Sequence, residues 1–155
     1  ADRPHVNTEC VLAAEVSRPV LATAFWEIKL KDERLRPLLL LWLNSTFGFF
    51  MVLAAAQNGR GPIFHLKQDH LGSILIPSPT SELIESSARL YSDLEGKTFL
   101  PFPQEFAEAA AGRGVRRAID DLFKAHLPIQ ADLTGTYQLL GQEPFLTGKP
   151  VAASR

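Results

Sequence analysis

Cysteine is nearly missing: Cys10 stands alone in 155 residues. A lone thiol forms no intramolecular disulfide and no thiolate metal cluster, and such usage fits a reducing, cytoplasmic setting. A charge excess is missing as well. Residues 1–76 hold eight basic and seven acidic side chains and residues 77–155 hold eight and ten, so charge alone announces no nucleic acid as partner. The chain opens on Ala1 rather than methionine, which reads as a processed or excised chain, and no apolar run marks a secretory signal after the charged Asp2-Arg3-Pro4-His5. Internal repeats and low-complexity tracts are lacking too.

Apolar residues are plentiful, at 46% against 21% charged, enough to fill a core and outside the composition of a disordered chain. From Leu38 to Ala56 the sequence runs nineteen residues without a charge, a length that meets the crude requirement for crossing a bilayer. Asn44-Ser45-Thr46 interrupts the run with Gly48 just beyond, the pattern of a helix stop followed by a new hydroxyl N-cap. Two buried helices are therefore expected, with no membrane partner. Pro37 suits the first turn of one, and Asn58-Gly59 the end of the other.

Glu9–Val16 and Val20–Leu30, joined by Ser17-Arg18-Pro19, read as two strands, and in the second of them side chains alternate as on a pleated surface. Ile63–Leu66 and Ser73–Ile76 are short strand-like runs around a turn at Lys67–Gly72. Beyond Pro77-Ser78-Pro79 the pattern becomes helical. Thr80 is a candidate N-cap for a helix ending at Gly96, with Leu83, Ile84, Leu90, Tyr91 and Leu94 on one face. An extended Phe99–Pro103 precedes a helix to Ala111, another over Gly114–His126 and a third over Ile129–Leu140. Arg116 with Asp120, and Arg117 with Asp121, have i,i+4 spacing and are expected on a surface helix. The expected fold class is α+β: residues 1–76 form a small β-sheet with two packed helices, and residues 77–155 a helical subdomain used as a spacer or docking segment.

Most catalytic motifs fail on spacing. Gly96-Lys97-Thr98 lacks the glycine five positions earlier that a phosphate-binding loop needs, since Tyr91 stands there. Gly59-Arg60-Gly61 and Gly112-Arg113-Gly114 start a dinucleotide fingerprint but carry Phe64 and Arg117 at the third glycine position. His65 and His70, five apart, have no cysteine or histidine at ligand spacing, so no metal is expected. Glu27-Ile28-Lys29 is the acidic-x-Lys half of a metal-dependent nuclease site, in which a carboxylate holds the ion and lysine helps activate water; the competing account is an exposed strand face. No serine nucleophile elbow is present, and Cys10 in an apolar run is an ordinary buried thiol. No catalytic residue is assigned, and the chain alone is not expected to be an enzyme.

One stretch is more specific. Trp42-Leu43-Asn44-Ser45, Phe47-Gly48-Phe49, Gly59-Arg60-Gly61, Ile63-Phe64-His65-Leu66-Lys67, Leu71 and Ile76-Pro77-Ser78-Pro79, in that order and spacing, resemble the closing part of a restriction-modification target-recognition domain. The likeness is to adenine-specific DNA methyltransferases with a fused recognition region, and more loosely to type I specificity subunits. It covers residues 11–95 and, with fewer matches, Arg116–Phe145, and it departs from the family at Pro37, inside the usual start of the first helix.

The resemblance implies a C-terminal recognition fragment that reads double-stranded DNA for a methyltransferase domain of the same parent protein or of a partner subunit. The S-adenosylmethionine cofactor belongs to that missing domain, and none is expected here; the Asn-Pro-Pro-Tyr-type motif that holds a flipped adenine is likewise absent from the 155 residues. Arg60, between two glycines that let the backbone approach DNA, is the first candidate to address a guanine edge. Gln57 and Asn58 are amides that suit adenine, Lys67 suits a phosphate, and His65 and Gln68 follow. The alternative for the same residues is a capped helix end and a solvated arginine. For the chain as a whole the alternatives are a docking module of a multi-subunit DNA-modifying complex and the nuclease centred on Glu27 and Lys29.

Overall fold

A computed structural model describes residues 12–16, 27–56 and 71–143. Six α-helices lie among them: α1 (Arg36–Asn44), α2 (Thr46–Ala56), α3 (Ser81–Asp93), α4 (Phe102–Ala110), α5 (Gly114–His126) and α6 (Leu133–Leu140), with a 3₁₀ turn at Glu33–Leu35 leading into α1.

Local chemistry sets most boundaries. Pro37 occupies the first turn of α1, where its missing N–H costs no hydrogen bond. Thr80 caps α3 by accepting the Leu83 N–H at 3.2 Å, and Asp132 caps α6 by accepting the Thr134 N–H at 2.9 Å. The turns after α3 and α4 need left-handed backbone, supplied by Gly96 at φ 75° and Gly112 at φ 77°.

Two apolar clusters hold the helices together. One joins Phe49 of α2 to Phe102, Phe106 and Ala109 of α4 and to Leu133, Tyr137 and Leu140 of α6. The other joins Leu38, Leu41 and Trp42 of α1 to Leu83 of α3 and to Ile119 and Phe123 of α5. Trp42 meets Phe123 edge-on at 4.9 Å between ring centroids, an arrangement aromatic rings favour. Each large side chain buried this way contributes about 1.5–3 kcal/mol of transfer free energy. Helix α2 is apolar nearly all round because Phe49 packs into one cluster while Phe47 and Met51 pack against the other. Both clusters draw residues from either side of Pro77.

The α+β expectation is corrected. No strand occurs among the described residues, which are helix, turn or unpaired coil. Ser73–Ile76 is not a strand: the Leu75 carbonyl accepts the Trp42 indole N–H at 2.8 Å, and the Ile74 N–H goes to Leu71 at 3.2 Å. The described end of Val20–Leu30 presents Glu27, Ile28 and Lys29 to solvent. Residues 20–26 of that run, residues 9–11 of the first expected strand and all of Ile63–Leu66 lie outside the described residues, and the described 12–16 and 27–30 form no ladder.

The uncharged run is two helices. Glu33–Asn44 and Thr46–Ala55 meet at 75°, and no single helix among the described residues is long and apolar enough to cross a membrane, although the bent pair would pass by length and composition together.

Candidate functional site

The break between α1 and α2 gathers a dense polar network of the described residues. Ser45, fully buried, donates its hydroxyl to the Trp42 carbonyl at 2.6 Å and accepts the Gly48 N–H at 2.9 Å, a hydroxyl cap on α2. A second cap comes from across the fold. The Asp120 carboxylate of α5 accepts the Thr46 N–H at 2.7 Å and the Thr46 hydroxyl at 2.5 Å, and on the same side accepts the Tyr137 hydroxyl of α6 at 2.9 Å. One turn earlier on α5, Arg116 donates Nη1 to the Asn44 carbonyl at 3.0 Å, where α1 ends. Its guanidinium carbon lies 4.7 Å from the Phe106 ring centroid and 5.2 Å from that of Phe102, a desolvated cation–π contact. Glu105 of α4 completes the network by accepting the Arg116 backbone N–H at 3.2 Å and the Leu100 N–H at 2.7 Å.

Each charge therefore meets the helix end whose dipole it complements: the Asp120 anion at the N-terminus of α2, the Arg116 cation at the C-terminus of α1, and the Glu105 anion in the first turn of α5. Burial pushes the Asp120 carboxyl up from its ordinary range, while Thr46, Arg116 and Tyr137 pull it back. Burial pulls the Arg116 guanidinium down against the opposing fields of Asp120 and Glu105, and desolvation first, then Asp120, pushes the Tyr137 hydroxyl up. These side chains can hold a geometry.

Asn44 adds a clamp. Its amide accepts the N–H groups of Leu12 and Ala13 at 2.9 and 3.2 Å and donates to the carbonyls of Ala13 and Leu40 at 2.7 and 3.1 Å. The arm at 12–16 is also tied down by Glu15, which takes the Arg36 guanidinium at 2.8 Å and the Tyr91 hydroxyl at 2.7 Å. Gly48 makes the close approach possible: a Cβ there would stand 2.0 Å from the Trp42 carbonyl oxygen.

The Arg116–Asp120 expectation is also corrected. Only Arg117 and Asp121 form the surface pair, at 2.8 Å; Arg116 and Asp120 are 1% and 0% exposed. Their role was missed because i,i+4 spacing is neutral about direction. The signal that carries it is the stripe Arg116, Ile119, Asp120 and Phe123, which puts both charges on the apolar face of α5.

The residues assigned to DNA, Arg60, Gln57, Asn58, Lys67, His65 and Gln68, lie outside the described residues. They follow directly on Ala56, the end of α2. Glu27 and Lys29 are described, are largely exposed, and pair with each other at 3.6 Å. No group of three or more metal-ligating side chains gathers among the described residues. An open apolar groove of about 280 Å³ is lined by Leu30, Leu35, Leu39, Ile76, Pro77 and Pro79 among others. Compared with protein-family models, curated proteins and solved structures, the chain matches none.

Proposed function

We propose that this chain is a DNA sequence-recognition fragment of a restriction-modification methyltransferase, reading duplex DNA through the segment around Arg60 and relying on a separate catalytic domain with its S-adenosylmethionine. The order and spacing of Trp42-Leu43-Asn44-Ser45, Gly59-Arg60-Gly61 and Ile76-Pro77-Ser78-Pro79 support it. One structural observation carries it furthest: the uncharged run is folded at 75° about Ser45, so that α2 ends at Ala56 and hands the chain to a glycine-flanked arginine instead of continuing α1 as one rod.

In this function Arg60 addresses guanine, Gln57 and Asn58 address adenine, and Lys67 holds a phosphate, with His65 and Gln68 beside them. Titration of the full chain against a random-sequence duplex in a gel-shift assay tests it. Binding is expected at low salt, with log K falling linearly against log salt at a slope set by the phosphates neutralised. No shift at high protein concentration would overturn the proposal. A second function, docking within a multi-subunit DNA-modifying complex, is favoured by the apolar groove, by Ile76, which lines it and is 53% exposed, and by the adjoining Leu75, 73% exposed. Under that function Arg60→Ala leaves the DNA affinity of the assembly unchanged.

A further inference from the structure

Resting on the recognition function above, we propose that Asp120, Arg116 and Tyr137 are positioning residues: the charges of α5 fix the turn between α1 and α2, and with it the direction in which α2 carries the chain to Gln57. The turn is gripped from outside by polar atoms, the Thr46 N–H held by Asp120 at 2.7 Å and the Asn44 carbonyl by Arg116 at 3.0 Å. An anion faces unpaired N–H groups and a cation faces unpaired carbonyls, so the arrangement favours one orientation of the two helices and is repelled by the reverse.

The charges also exceed what capping requires. Ser45 already caps α2 through the Gly48 N–H, the buried Arg116 Nε has no partner, and apolar side chains in place of two buried charges commonly pack as stably. What the charges add is a defined geometry. Tyr137 extends that control to α6 by holding Asp120 at 2.9 Å, and Phe49, buried in the cluster of α4 and α6, makes α2 a stiff connection from the turn to Ala56.

The test compares the full chain with Asp120→Asn and Tyr137→Phe on a pool of duplexes with a randomised centre, at a temperature where circular dichroism finds each protein folded. The wild-type chain is expected to enrich one sequence, and the variants to bind the pool with an unchanged salt slope while preferring that sequence about tenfold less, roughly the cost of one mismatched base pair. Loss of stability alone does not change a preference measured on folded protein. Tyr137→Phe keeps both charges and carries the comparison if Asp120→Asn does not fold. A folded variant with full preference overturns the positioning role and leaves recognition standing. A wild-type chain that binds the pool without salt dependence and enriches nothing overturns both.

Discussion

Replacing Gly48 with alanine is the sharpest test of how the α1–α2 break is built, because two physical effects predict opposite signs. On helix propensity alone the substitution stabilises α2 by about 1 kcal/mol. The local geometry says otherwise. The added Cβ would stand 2.0 Å from the Trp42 carbonyl oxygen, 2.8 Å from its carbonyl carbon and 3.0 Å from the Leu43 Cα. All three are backbone atoms, so no rotamer change relieves the overlap, and the first turn of α2 must move. Moving it opens the Ser45 cap on the Gly48 N–H, a loss of about 1 kcal/mol. It also pulls Thr46 away from Asp120, leaving a buried carboxylate short of two donors at about 1–3 kcal/mol each. The net effect is a destabilisation of about 2–6 kcal/mol, a large share of the ~5–15 kcal/mol that holds a domain of this size together. Gly135 is the matched control, since it lies inside α6 with open space around its Cβ position; Gly135→Ala is expected to gain about 0.5–1 kcal/mol. Urea titrations followed by circular dichroism give both values. A Gly48→Ala chain as stable as wild type or more so would refute the close approach of α2 to Trp42.

Arg116→Ala is expected to cost about 3–5 kcal/mol, as breaking a buried ionic network does, whereas Arg117→Ala, which loses only the exposed pair with Asp121, stays within about 0.5 kcal/mol; equal losses in chemical denaturation would contradict the assignment of Arg116 to the buried face of α5 and Arg117 to its solvent-facing flank. Exchanging the charges, Arg116→Asp with Asp120→Arg, preserves composition and spacing yet sets a carboxylate against the Asn44 carbonyl and a guanidinium against the Thr46 N–H, and the chain is expected to lose its cooperative melting transition. For pH, Asp132, Glu108 and Asp32 are held below their ordinary values, by the Thr134 N–H, the Arg113 guanidinium and the Arg34 guanidinium respectively. A carboxyl lowered in the native state adds stability that is complete above its unfolded value and lost as pH falls through the native one. Melting temperatures should fall on acidification below about pH 4, and Asp132→Asn should make that fall shallower; an unchanged acid limb would show that the Asp132 cap on α6 is absent in solution.

Chemistry written within a few residues of where it acts was readable in the sequence. A hydroxyl cap within Asn44-Ser45-Thr46, which the structure assigns to Ser45, Thr80 as a cap, Pro37 in a first helical turn and the span of α5 from Gly114 to His126 all come from contacts of short range. The start of α6 was placed too early, at Ile129, because residues 128–132 stay non-helical until Asp132 caps the helix. The strand-like run at Ser73–Ile76 misled for a different reason. Its apolar content describes what an extended backbone tolerates, and whether it joins a sheet depends on a partner strand. At Leu75 the carbonyl's partner is an indole 33 positions away.

The buried charges were the least legible part, and their order explains why. In a surface i,i+4 pair the acidic residue does best when it comes first, so Arg116 followed by Asp120 reads as a weak pair of no consequence. The order makes sense once neither residue serves the other. Asp120 finds its partner in Thr46, 74 positions away, and Arg116 finds its own in Asn44, 72 positions away. Along α5, arginine then aspartate matches the ends of α1 and α2 that it meets. A feature that looks unfavourable within one helix is thus what the junction of two others requires, and it binds the helical part after Pro77 to the turn that precedes the glycine-flanked arginine.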